Sequence, residues 1–309
     1  MVFVTSYVDL DLDGVACSIA YAELLNRKNI PSKAVYSGNF GLEVNFVKEY
    51  TNNFPIEKLE GEYEKNDKMV LVDVADPSRI DSRIDPVNVI EIFDHHLVVS
   101  VEKFVNAKKH IESVGSCATL ITEEFRKNGL VPSKNSAIYL YSAIVSNTVN
   151  FKNSVTTQRD IETASWLKKI AGLDDNYTLQ MFSAKSNITN DNLYDVLLLE
   201  LAIKTIANKK IGIAQIEMVG VERMATDLKD SLLQTLNRFR NENELDYIFF
   251  TGIDIIQGYN IFYTIDDLSR QMFSKALDIP DLFPGYKTKS IIMRKQIWPK
   301  LENVLGGES

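Results

Sequence analysis

The chain is short of the residues from which many sites are built. Only two cysteines occur in 309 residues, and no CxxC pair is present. A disulfide framework is therefore not expected, and Cys17 and Cys117, each in a small-residue helical stretch, read as buried small hydrophobes. No run of about 18 apolar residues appears, and no basic stretch followed by a cleavable apolar one opens the chain. A soluble, cytoplasmic protein without membrane contact is expected. Neither GxGxxG nor a Walker A loop is present, so dinucleotide binding and P-loop chemistry have no support. Basic charge is in deficit: 34 Lys and Arg stand against 42 Asp and Glu, a formal net charge of −8. Such a chain has no general attraction for long nucleic acid, and any anionic substrate must be held locally. Internal repeats and low-complexity tracts are absent too.

With 45% hydrophobic residues the chain can fill two cores. Its first half alternates short apolar runs ("MVFVTSYV", "SKAVYSG", "KMVLVDV", "VNVIEIFDHH") with helical stretches such as "DGVACSIAYAELLNRKN" and "GLEVNFVKEYTNN". Val- and Ile-rich runs of that length are the signature of fully buried parallel strands, which predicts an α/β, doubly wound, mainly parallel sheet. Three further helical segments follow. At residues 185 to 192, "KSNITNDN", the pattern breaks into turn formers. Domains are expected over 1–186 and 193–309. The second is smaller and α+β, with strands in "KKIGIAQIEMV", "LDYIFFTGIDII" and "YNIFYTI" and one helix over 221–240.

In a doubly wound sheet, ligands sit beyond the carboxyl ends of the strands. Acidic residues stand at three such ends: Asp9, Asp11 and Asp13 in "DLDLDG", Asp73 in "LVDVAD", and Asp94 with His95 and His96 in "FDHH". Carboxylates gathered without basic partners repel one another, and a divalent cation removes the difficulty. Asp11 or Asp13 alone would serve equally as a helix N-cap; three strand ends together favour metal. Two of only three histidines are adjacent there, whereas His110 in "KKHIES" has no such context and reads as a surface or packing residue.

Taken together, "DLDLDG", "LVDVAD" and "FDHH" resemble the DHH phosphoesterase family, and within it the manganese-dependent family II inorganic pyrophosphatases and exopolyphosphatases. "SVGSCATLITEEF" is similar to the family's helix after the DHH motif and "AIVSNTVNFKNSVTTQRD" to its fourth motif. "KKIGIAQIEM" and "IIMRKQIWPKL" resemble the DHH-associated C-terminal domain with its basic substrate clamp. The resemblance implies an active site in the cleft between the domains. Asp11 and Asp73 would bind one metal and Asp13, Asp73, His95 and Asn147 the other, with Asp73 bridging and His96 donating to the substrate. Lys204, Arg294 and Lys295 would bind the far phosphate. Two metals per site, manganese or else magnesium or cobalt, would lower the pKa of a shared water from about 15.7 to about 7 for attack on phosphorus. A homodimer is among the assemblies the resemblance allows.

Two positions depart from the pattern. Tyr7 stands where the family has histidine, and a phenol of pKa near 10 is a poor manganese ligand; Asp9, on the same face if the strand continues, is the substitute ligand expected. Asn147 replaces an aspartate and brings no charge. The expected function is hydrolysis of pyrophosphate or short polyphosphate, a small anionic substrate. A nucleotide or short-oligonucleotide phosphoesterase, and a weakened metal- or nucleotide-binding module, are the alternatives.

Overall fold

The apolar runs of the first half become a parallel sheet. In chain order the elements are β1 Val2–Thr5, α1 Leu12–Arg27, β2 Ser32–Tyr36, α2 Leu42–Thr51, β3 Glu57–Lys58, β4 Lys68–Val72, β5 Val89–Asp94, β6 Lys108–Ile111, α3 Cys117–Lys127, α4 Lys134–Asn147, α5 Gln158–Ala171 and α6 Tyr177–Lys185. The six strands lie in the order β3-β2-β1-β4-β5-β6, all parallel. Val4, Val70, Leu71, Val72 and Ile92 are fully buried, as strands covered on both faces require. The computed structural model describes residues 1–59, 61, 67–96, 100–280 and 282–306, and divides into units Met1–Ala184 and Lys185–Ser309.

β1 ends at Thr5, earlier than the apolar pattern suggests, and a loop leads to α1. That helix starts because Asp11 caps it, its Oδ1 accepting the N–H groups of Asp13 (2.9 Å) and Gly14 (3.0 Å). Gly14 is needed at this entry, since a Cβ there would lie 2.7 Å from Ser6 Oγ. β6 is an edge strand of sequence KKHI with both lysines exposed. It lacks the apolar run that marks its neighbours, so nothing in the sequence announces it.

In the second unit come α7 Leu193–Leu199, β7 Leu201–Ile206, β8 Lys209–Met218, α8 Val221–Asp227, α9 Lys229–Glu242, β9 Tyr247–Asp254, β10 Tyr259–Tyr263, α10 Asp267–Leu277, β11 Tyr286–Lys287 and α11 Arg294–Gly306. The mixed sheet runs β11-β10-β9-β8-β7, with only β8 and β9 parallel. Helices α7, α8 and α9 pack on one face around Leu197, Met224, Leu236 and Phe239. Helices α10 and α11 pack on the other around Phe273, Ile297, Trp298 and Leu301. The single helix expected over 221–240 is two, broken at Leu228 (φ −108°, ψ 20°). Hydrogen bonds from Leu228 N–H to Met224 O and from Leu232 N–H to Leu228 O span the break. The apolar period runs on through it, so the pattern carries no sign of a break.

Candidate metal centre

The sheet order reverses at β1 and β4, so the loops beyond their carboxyl ends diverge and leave a crevice. Asp73 is the first residue past β4. Its backbone is left-handed (φ 58°), and its N–H is held by Phe93 O at 2.8 Å. The side chain is buried, yet Oδ1 accepts no hydrogen bond. An orphaned carboxylate oxygen in the interior is costly unless a cation meets it. His95 Nε2 stands 3.3 Å from that atom and His96 Nδ1 3.9 Å.

The two imidazoles are oriented differently. His95 donates Nδ1–H to Val114 O at 3.0 Å, which leaves Nε2 facing Asp73 and, at 3.9 Å, Asp13 Oδ2. A backbone carbonyl behind the ring is the usual support for a histidine ligand. His96 Nδ1 is instead held by Asp94 Oδ1 at 2.7 Å, and the same oxygen accepts the N–H groups of His95 and His96. Commitment of Nδ1 to Asp94 leaves Nε2 as the His96 ring nitrogen outside that bond.

Asp13 lies in the first turn of α1 and is gripped from several sides. Its Oδ1 accepts Ala118 N–H (2.9 Å) and the Cys17 thiol (3.3 Å); its Oδ2 accepts Cys117 N–H (2.9 Å) and Asn147 Nδ2 (2.5 Å). The N-terminus of α3 thus points at this carboxylate, as helix dipoles favour. Buried Asp160 holds that turn in place, accepting Gly115 N–H and the Thr119 and Thr157 hydroxyls at 2.6 to 2.8 Å. Asn147, the last residue of α4, therefore reaches the site with its amide nitrogen toward Asp13. Asp11 sits two residues earlier, with Oδ1 used as the N-cap.

Electrostatics match this crowding. Burial, then the charge of Asp13, raises the Asp73 pKa to about 7. Burial opposes charge on His95, but the Asp73 carboxylate 3.3 Å away, with Asp13 beyond it, prevails and pushes it up to about 10. Burial and Asp13 also raise Asp11, with Glu43 adding to the effect. The Tyr7 phenol is pushed well above 10 by burial and by Asp11 and Asp73; it accepts Asp11 N–H at 3.3 Å and stays a neutral neighbour.

Asp9 is not brought to this cluster. The chain turns at Asp9 (φ 61°), its side chain is exposed, and its Oδ1 accepts Asn39 N–H at 2.9 Å. The strand alternation that would have aimed it inward does not extend past Thr5. His110 stacks on Phe93 (centroids 4.4 Å apart) and bonds Glu91 at 3.0 Å, a packing role.

The three cations expected to meet phosphate lie in the second unit. Lys204 Nζ rests 5.2 Å above the Trp298 ring. Arg294 opens α11, one turn before Trp298, and its guanidinium donates to the carbonyls of Glu200 and Ile213. Lys295 beside it is exposed. Glu43 escaped the sequence reading: it accepts the Ser146 hydroxyl at 2.7 Å next to Asn147, and no motif marks it.

Residues 1–144 match the model of the DHH family, N-terminal domain, and residues 179–304 that of the DHHA2 domain. A probable manganese-dependent inorganic pyrophosphatase of Clostridium acetobutylicum is 27% identical over 314 residues, covering 100% of this chain and 99% of that one. The manganese-dependent inorganic pyrophosphatase of Methanothrix thermoacetophila is 28% identical, covering 98% and 97%. A crystal structure from Methanococcus jannaschii, provisionally named a family II inorganic pyrophosphatase, superposes with a TM-score of 0.75 at 25% identity, covering 99% of this chain and 100% of that one.

Proposed function

This chain belongs to the DHH family, with a DHHA2 domain after its DHH domain, and on that premise we propose that it is a manganese-dependent hydrolase of phosphoanhydrides, with inorganic pyrophosphate or a short polyphosphate as substrate. The observation that carries the reading is the buried, donorless Asp73 Oδ1 faced by His95 Nε2. That donor set fits a borderline cation that accepts both oxygen and imidazole. Asp73, His95 and Asp13 would hold one ion, and Asp11 with Asp73 a second. Such ions supply an acidified water and neutralise phosphoryl oxygens.

The protein's own groups do the rest. Asp94 fixes the His96 ring and, with Asp73, raises its pKa, so His96 holds a proton at Nε2 to share with the oxygen that leaves phosphorus. Arg294, Lys295 and Lys204 bind the far phosphate and neutralise charge as it accumulates there. Asn147 gives Asp13 a neutral donor rather than adding a fourth carboxylate, so the three carboxylates Asp11, Asp13 and Asp73 face four positive charges if two ions bind. A second ion would accordingly bind the more weakly.

Phosphate release by the purified protein, with and without manganese, tests this on pyrophosphate, tripolyphosphate and a nucleotide panel. Manganese-dependent release from either anhydride is expected. Release from nucleotides alone, or none at all, overturns it.

A further inference from the structure

Arg79 lies in the loop after β4, and its guanidinium carbon stands 4.6 Å above the centroid of the Tyr7 ring, in the loop after β1. The two loops are also tied through the backbone, where Val8 N–H donates to Arg79 O at 3.0 Å. Tyr7 also packs against the core formed by Met69, Leu71, Val74 and Ile80, and its phenol oxygen accepts Asp11 N–H. Arg79 is therefore linked through Tyr7 to Asp11, in the loops that follow the two strands where the sheet order reverses.

Its charge helps lower the pKa of Asp76, behind that residue's bonds to Ser78, but its donors are not spent. The side chain is exposed and makes no hydrogen bond or ion pair with any described residue. The nearby carboxylate, Asp76, is occupied by its own turn: Oδ1 accepts both the N–H and the hydroxyl of Ser78 at 2.8 Å. Arginine placed beside acids normally finds one of them. Here the guanidinium lies over the face of an aromatic ring, a contact that leaves its donors unfilled.

From this arrangement we infer that Arg79 binds a phosphoryl group of the substrate. The inference rests on the phosphoanhydride reading. A planar fork of donors matches two oxygens of one phosphoryl group, and such bidentate pairs are the stronger hydrogen bonds to anions. Tyr7 acquires a role as well: it is the platform that holds the fork, which a smaller or charged side chain would not provide.

The test is calorimetric binding of imidodiphosphate, a non-hydrolysable pyrophosphate analogue, to the manganese-saturated full chain, beside steady-state kinetics on pyrophosphate. Arg79→Met keeps an apolar cover on Tyr7 and removes the donors. It should raise the imidodiphosphate Kd and the pyrophosphate KM about tenfold to a hundredfold, with KM rising more than kcat falls, and should leave manganese affinity and the melting temperature in place. Arg79→Lys should recover part of the loss. An Arg79→Met Kd within twofold of the parent overturns the inference. So does a loss matched by falling manganese affinity or melting temperature, since Arg79 would then only cover Tyr7. A parent protein that hydrolyses pyrophosphate while Arg79→Met is unchanged refutes Arg79 alone. A parent that neither binds the analogue nor cleaves pyrophosphate refutes both readings.

Discussion

Replacing Asn147 by aspartate separates what the site needs with metal from what it needs without it. Asn147 Nδ2 donates to Asp13 Oδ2 at 2.5 Å. Asn147→Asp deletes that donor and brings two carboxylates into contact. A hydrogen bond to a charged group contributes about 1.5–3 kcal/mol, and a unit of this size loses about 2–4 °C of melting temperature per kcal/mol. The metal-free variant should therefore melt about 3–12 °C lower. With metal the sign reverses. One added charge near 4 Å from a unit charge is worth about 4 kcal/mol at an effective dielectric of 20, and desolvation of the new carboxylate removes part of it. A net gain of about 1.5–3 kcal/mol corresponds to manganese binding roughly 10- to 150-fold tighter. Titration calorimetry with manganese, and melting with and without chelator, read both effects. Equal or weaker manganese binding, or an unchanged melting temperature in chelator, would refute the reasoning.

Protonation gives a second handle. The folded metal-free protein keeps on Asp73 a proton that the unfolded chain has released above about pH 4, so its stability falls as pH rises from about 4 to about 7. His95, held up to about 10, continues the fall from its ordinary value of 6.5 upward. Manganese must displace these protons; its affinity should climb between about pH 6 and 9, and titrations in buffers of different ionisation enthalpy should show proton release, whose absence would count against the cluster. Asp9→Asn should leave manganese affinity within about twofold, because its carboxylate serves the Asn39 turn; a tenfold loss measured by calorimetry would return Asp9 to the ligand set. Gly115→Ala would set a Cβ 2.6 Å from Thr148 Cγ2 and 2.8 Å from Asp160 Oδ2. It should cost about 1–3 kcal/mol by overpacking and weaken manganese binding by shifting the Cys117 and Ala118 N–H groups, while unchanged melting and binding would show the turn to be more yielding.

The parallel sheet was legible because burial on both faces writes itself as Val and Ile runs, and the strand ends could be read because acids there have few other uses. Asp11 shows how far such reading goes: helix cap and ligand were posed as alternatives, but a carboxylate has two oxygens and the cap takes one. Asp9 shows where it stops, since a positive φ at a non-glycine residue ends the strand geometry without any mark in the sequence. The direction of the Asn147 amide, the grip of α3 on Asp13 and the approach of Glu43 depend on contacts between segments more than 100 residues apart. The stacking of Arg79 on Tyr7 is likewise a matter of two loops meeting, and neither residue's neighbours predict it.

The most direct test is a crystal grown with manganese and measured at the manganese absorption edge. An anomalous peak between Asp73 Oδ1 and His95 Nε2 is predicted, with Asp13 at its side. Manganese bound elsewhere with those atoms unliganded, or no manganese at saturating concentration, would contradict the account.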